Sequence, residues 1–402
     1  MKLTFKRFLS VIMSAIMLIG IIQINVFAAS SDTVYDLHVA GVQVTEKNRN
    51  DVLGDGGSVK FDDYTDILTL TNANITKAIY KSGCYSGIHA GGAITIELIG
   101  ENVIDLSRIS IDDKALAEVN GIINTRANLK IKGSGSLFIA TPDSVNRSIG
   151  INAYNHSVHL DGGCTVEIET GDSFSPTGIL TNTHDNRIEI TGGSTLKIKT
   201  GDIYADKNTK AIIHGLETRT FFVTDNSTVH IQNGNIILSN DASSMIADIN
   251  SAVSCQYMYV YDSSVTAIAG KSGGVDELWH DSPVKGSTGI SRTSDMNYDE
   301  IDIQIHNSTV IASGYDQAFS SLSAIKDSEI YSGIEFYYSD NVDGSYLKKI
   351  EVTSTGKDIE KPYVMIVPEG SYEPPEKSFF EKIADFFRNL FESIAQFFDY
   401  IF

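Results

Sequence analysis

The chain has 402 residues, 31 Lys and Arg against 51 Asp and Glu, and a formal net charge of −20. Hydrophobic residues make up 42%, enough for a core and against wholesale disorder, and the acidic balance leaves no phosphate-binding surface, so no nucleic-acid partner is expected. Only 7 Pro and 3 Cys exclude collagen-like and disulfide-scaffold chains, while 33 Gly among many Ser, Thr, Asn and Asp point to abundant tight turns.

The N-terminus opens with Lys2, Lys6 and Arg7, then an apolar run from Phe8 to Ile24, then Val26-Phe27-Ala28. Small residues stand at −3 and −1 of a cut after Ala28, the pattern of a secretory signal peptide over residues 1–28. An uncleaved membrane anchor is the alternative, because the apolar run approaches spanning length. Removing three positive charges from −20 leaves −23 on the mature chain. The expected location is extracellular, with retention at the cell surface left open. Cys84, Cys164 and Cys255 are then an odd set that allows at most one internal pair, and they read as small buried apolar residues. No CxxC or HxxxH spacing suggests zinc.

A repeat follows. Gly121–Thr141, Gly150–Thr170, Gly178–Thr200 and Ala211–Asn233 each carry a small residue plus Ile, an alternating strand, a Gly/Ser/Asn/Asp turn and a second alternating strand. Weaker copies occur at Gly87–Gly100, Tyr257–Gly270, Ile301–Gly314 and Ala324–Gly333. Unit starts near Gly87, Gly121, Gly150, Gly178, Ala211, Ile246, Gly289 and Ala318 give seven intervals with a mean of 33 residues. Strands with one wet face and no intervening helix cannot close a core within one unit, but stacked units can, as in a solenoid. A string of β-sandwiches and a β-propeller are the alternatives.

The opening segment Val39–Ile75 and the GI and GGST turns that follow resemble the secreted carbohydrate-binding β-helix proteins of clostridia and related Gram-positive bacteria. The resemblance spans about Val39–Ile366 and rests on loose, turn-dominated motifs. It implies an all-β, right-handed parallel β-helix related in architecture to pectate lyases, binding of plant cell-wall polysaccharide (cellulose or pectin), and bound calcium. The expected fold is a solenoid of about eight or more coils over residues 29–367.

Aligning the turns places Ile131, Leu160, Ile190, Val223, Val260 and Ile305 in one inner ladder. Leu137, Val166, Leu196, Val229, Val265 and Val310 form a second. Parity puts Lys130, His159, Glu189, Phe222, Tyr259 and Gln304 outside, with Glu167 beside Lys197 and Glu169 beside Lys199. Tyr257, Tyr259 and Tyr261 alternate with Met258 and Val260 and share the wet face, one coil from Phe222. Outward rings suit sugar C–H faces, so these four residues are candidate carbohydrate-binding groups. The insertion Lys271–Gly289 could instead cover them, and its Trp279 is either a fifth stacking ring or a plug holding that loop down.

Two acidic groups are candidate calcium ligands: Asp62, Asp63 and Asp66, and Asp295, Asp299 and Asp302. Asp340 and Asp343 flank a further turn. No full EF-hand loop is present, and in so acidic a chain each group also reads as a solvated turn. Polygalacturonase-like NTD, GHG and RIK strings are absent; Arg187-Ile188-Glu189 comes nearest, and with His159 it makes the only outward trio suggestive of chemistry. Ion pairing accounts for that trio, so no catalytic residue is assigned. Non-catalytic binding is favoured over a lyase or glycoside hydrolase acting on pectin, and over a structural adhesion protein.

After Val367 the repeats stop. Residues 368–377 hold three prolines and read as a stiff linker. Residues 378–402 read as an amphipathic α-helix, Ser378 and Glu381 forming a capping box and Phe379, Phe380, Ile383, Phe386, Phe387, Leu390, Phe391, Ile394, Phe397, Phe398 and Ile401 one apolar face. Interspersed charges exclude a spanning helix. The face is expected to cap the solenoid, lie on a membrane surface or self-associate.

Overall fold

The structure, a computed structural model, describes residues 32–181, 186–205, 210–238, 247–272, 286–291, 302–320, 333–350 and 361–372. One turn of the chain shows the plan. Val145–Asn152 lies in a first sheet (A), Val158–Asp161 in a second (B) and Thr165–Glu169 in a third (C). The next strand, Ser173–Leu180, returns to sheet A and pairs in parallel with Val145–Asn152. Strict alternation explains the short strands: Val158 and Leu160 point into the core while His159 points out, and Val166 and Ile168 do the same around Glu167. The protein is an all-β parallel solenoid, and its core is one column of aliphatic side chains enclosed by three sheets.

The ladders follow the turn alignment residue for residue. Ile131, Leu160, Ile190, Val223, Val260 and Ile305 are successive register partners in sheet B. Leu137, Val166, Leu196, Val229, Val265 and Val310 are partners in sheet C. All twelve are buried. Glu167–Lys197 and Glu169–Lys199 are register neighbours at 3.8 Å and 4.0 Å, an exposed pairing of small energetic weight.

Two unit starts are corrected. Sheet A aligns Gly178 with Gly215 and Ala252, not with Ala211 and Ile246. The column Gly87, Gly121, Gly150, Gly178, Gly215, Ala252 and Gly289 exists because sheet C crowds it from inside. A Cβ on Gly150 would stand 2.3 Å from Ile168 Cγ2 and 2.7 Å from the Gly178 carbonyl oxygen. Ala211-Ile212 mimics the small-plus-Ile signal four residues early, because Lys210–Glu217 is one of the longer strands.

The coil number is lower than expected. From Cys84–Ala90 the chain returns to sheet A six times up to Gly286–Ser291 and then adds the short parallel strand Gln317–Phe319, which makes about 6 turns instead of eight or more. Both ends leave the parallel pattern. Val34–Val39 and Val42–Thr45 form an antiparallel hairpin against Cys84–Ala90, and Val59–Asp62 pairs antiparallel with Ile67–Thr71. Tyr363–Pro368 runs antiparallel to Thr309–Ser313 and carries Ile334–Ser339 beside it. Reversed strands close the ends of the core. One 3-10 turn, Lys114–Leu116, is the helical element among the described residues, and none there is long and apolar enough to cross a membrane. The expected signal peptide over 1–28, Trp279, Asp295, Asp299 and the helix expected over 378–402 lie outside the described residues. Cys84, Cys164 and Cys255 are free, buried thiols, and burial pushes Cys255 up to about 12.

Candidate functional site

Two outward surfaces carry the candidate chemistry. On sheet B, Thr220–Val223 turns Phe221 and Val223 into the core and leaves Phe222 half-buried outside. Its register partner is Tyr259, followed by Gln304. The Phe222 and Tyr259 rings are stacked, centroids 4.6 Å apart and planes at 18°. Tyr257 lies under the Arg219 guanidinium, whose carbon is 5.7 Å from the ring centroid, and the Tyr261 hydroxyl donates to Gln304 Oε1 at 2.9 Å. Four of the five predicted carbohydrate-binding residues therefore share one wet face. Stacking modifies the expectation: Phe222 and Tyr259 cover each other's facing sides, so the strip offers a ridge rimmed by polar groups.

The Arg187, Glu189 and His159 trio is assembled on the same face. Arg187 pairs with Glu189 at 2.9 Å, His159 Nδ1 is 3.9 Å from Glu189, and His159 Nε2 is 3.0 Å from Thr191 Oγ1. Each group already has a partner.

Of the first acidic group, Asp62 accepts the Tyr64 N–H at 3.0 Å and the Thr65 hydroxyl at 2.7 Å. Asp63 is ion-paired to Arg49 and accepts the Tyr35 hydroxyl at 2.9 Å. Asp66 occupies the left-handed region at φ 54° in the hairpin turn. These carboxylates serve a turn and an arginine, an arrangement that does not fit a calcium cage. Among the described residues no three His, Cys, Asp or Glu gather to hold a metal. Asp302 opens the strand Asp302–His306. Asp340 is clamped by Lys361 at 2.7 Å and Lys348 at 2.9 Å, which hold its carboxyl down at about 2. Every carboxylate with a resolved shift among the described residues is held below its ordinary range: Asp36, Asp55, Asp62, Asp161, Glu335, Asp340 and Asp343. None of these is a proton-loaded acid of the kind glycoside hydrolysis uses.

The second surface is the corner from sheet C to sheet A. Thr141-Pro142-Asp143, Thr170-Gly171-Asp172, Thr200-Gly201-Asp202 and Asn233-Gly234-Asn235 stack there. Asp143 Oδ1 accepts the Asp172 N–H at 2.9 Å, Asp172 Oδ1 the Asp202 N–H at 2.8 Å, and Asp202 Oδ1 the Asn235 N–H at 2.6 Å. Thr170 and Thr200 hydroxyls accept the N–H of Gly201 and Gly234 at 3.2 Å and 3.0 Å. A Cβ on Gly201 would lie 2.4 Å from the Gly171 carbonyl carbon, so the coils stack too closely here for a side chain, and these residues line a groove of about 330 Å3. Glu169, Lys199 and Gln232 stand on its sheet C side. This groove is not among the sites expected from the sequence, although each of the four stronger repeats ends on the Thr or Asn that opens the triplet.

No family model, curated protein or solved structure matches the chain. Fold and surfaces define the class as an all-β parallel solenoid presenting outward side-chain ladders.

Proposed function

We propose that this protein is a secreted, non-catalytic polysaccharide-binding protein that holds plant cell-wall polysaccharide, cellulose or pectin. The observation that carries the reading is the strip Phe222, Tyr257, Tyr259 and Tyr261, half-buried and outward on adjacent coils of sheet B. Rings kept on a wet face cost free energy unless a ligand covers them, and sugar C–H groups are suited to cover them. Arg219 and Gln304 beside the rings supply hydrogen-bonding partners for hydroxyls. A ridge of ring edges on a flat sheet matches an extended array of chains better than a single buried sugar. The signal-peptide pattern supports secretion.

The test is retention of the mature chain from Ala29 on insoluble cellulose, pectin and chitin, each with calcium and with chelator. Retention on cellulose or pectin, without new reducing ends or unsaturated uronide absorbance, is the expected result. Passage through all three matrices refutes the proposal, and product formation makes the protein a lyase or hydrolase. Any calcium dependence implied by the resemblance is read in the same assay.

A further inference from the structure

The strand that closes the N-terminal end of the core carries a histidine pair. Val34–Val39 is held to Cys84–Ala90 by backbone bonds, Ala40 donating to the Gly87 carbonyl and Gly91 to the Asp36 carbonyl, both at 2.8 Å. Leu37 and Val39 enter the core, and between them His38 turns to the outer face of sheet A, where its register partner is His89. The two rings stand edge to face, centroids 6.2 Å apart and planes at 90°. Although they are on the outer face, His38 is 7% and His89 2% exposed. Nδ1 of each ring is buried and has no hydrogen-bond partner among the described residues. The surroundings are cationic: Asp36, on the strand of His38, is taken by Lys81 at 2.6 Å and by Arg126 at 3.7 Å, so one carboxylate faces two cations. Gln43 beside His38 and Ile123 beside His89 are uncharged, and Glu118, on the same strand as Ile123, is paired to Arg147 at 2.9 Å. Burial, Lys81 and His38 together hold His89 down at about 4, and burial and Lys81 lower His38, with Asp36 opposing in both. A proton on either imidazole places a charged Nδ1–H inside with no acceptor, and a second proton repels the first.

We infer that the pair is an acid-operated latch: protonation of His38 and His89 releases the N-terminal hairpin, Val34–Val39 with Val42–Thr45, from Cys84–Ala90 and uncovers that end of the core. In the released hairpin both rings meet water and regain the ordinary proton affinity of imidazole, with a pKa of about 6.5. The open form then binds more protons than the closed form between about pH 6.5 and the lowered values of the closed form. Closure is therefore complete above about pH 6.5 and is lost as pH falls through that window. Opening bares Leu37, Val39 and Val44, which are buried against the core end, and leaves the Ile88 side of Cys84–Ala90 as an unpaired edge. The middle coils stay shut, since a strand such as Val145–Asn152 is paired on both sides, to Glu118–Asn124 and to Ser173–Leu180. Local opening at one end of a solenoid costs only the contacts of that end.

Amide hydrogen exchange of the full mature chain, read by mass spectrometry and corrected for the intrinsic rate at each pH, tests this. Between about pH 7.5 and about pH 5, protection of the segment Val34–Thr45 should fall by about 30-fold, the change for one group that moves from about 4 to about 6.5 on opening. Val158–Asp161 and Thr165–Glu169 in the middle coils should keep their protection. His38→Gln with His89→Gln removes both titrating rings and should abolish the difference between the two pH values. Histidine resonances of the wild type, followed by NMR over the same range, give a readout that needs no variant: two of them should titrate below the ordinary histidine range. Equal protection of the hairpin at both pH values overturns the latch, as does a loss shared equally by the middle coils. An acid response that survives in the double variant, or histidines that all titrate near about 6.5, shows that this pair is not the sensor and overturns it too.

Discussion

Replacing Tyr259 by Ala removes a half-buried ring and one half of a stack. The pair geometry, 4.6 Å and 18°, sets the size of the effect. Partial burial of an aromatic side chain contributes about 1 kcal/mol, roughly half of the value for full burial. A stacked pair adds about 0.5–1.5 kcal/mol, so Tyr259→Ala should cost about 2 kcal/mol. The assay is urea unfolding of wild type, Tyr259→Ala, Phe222→Ala and the double variant, under one set of conditions and with one probe. The coupling energy of the cycle should equal the stacking part, about 0.5–1.5 kcal/mol. A coupling near zero refutes the stack. A loss above about 4 kcal/mol for Tyr259→Ala alone is the signature of a core residue and refutes its placement on the wet face.

Gly150→Ala should destabilise by about 1–3 kcal/mol or more, because its Cβ meets Ile168 and a backbone carbonyl that cannot yield. Gly92→Ala, where nothing lies within 4 Å, should be close to neutral, and thermal melts of the two variants separate crowding from a general effect of replacing glycine. Asp340 has a folded pKa of about 2, below its ordinary 3.8, owing to Lys361 and Lys348. Its contribution is therefore present above about pH 4 and is lost as pH falls through about 2. Asp340→Asn should flatten the decline of melting temperature over that window, modestly because the pair is exposed. Equal slopes in the two proteins contradict the clamp.

Sequence and structure agree where period and turn chemistry act together. Gly162-Gly163 and Gly192-Gly193 take left-handed backbone, φ 74° and 79°, 63° and 74°, and they lock the register of the strands on either side. Asp225-Asn226, both at φ 60°, fill the same turn after Val223, which is why parity placed Val223 inside and Phe222 outside without coordinates. The lock fails at Ala211 and Ile246, because a longer strand shifts the small residue to Gly215, and only packing against Ile231 (2.2 Å from a Cβ on Gly215) identifies the true column. Coil number was overcounted because every unit start was counted as a coil, whereas the last, near Ala318, is followed in sheet C by the antiparallel Ile334–Ser339 and Tyr363–Pro368, an end closure with no local pattern. The wet aromatics were legible from alternation alone. Their stacking was not, since it depends on rotamers on neighbouring coils. Nor was the corner groove, whose Thr-Gly-Asp triplets are short and gain meaning only when stacked.

Polysaccharide held as proposed lies on the outer face of sheet B, against its wet rings. Hydroxyl-radical footprinting of the mature chain with and without a retained glycan tests it most directly, because Tyr and Phe report their own solvent exposure. Protection of Tyr257, Tyr259 and Tyr261 is expected, with Tyr64 and Tyr346, 94% and 73% exposed elsewhere, unchanged. Retention on the glycan with the three sheet B tyrosines fully reactive would contradict it.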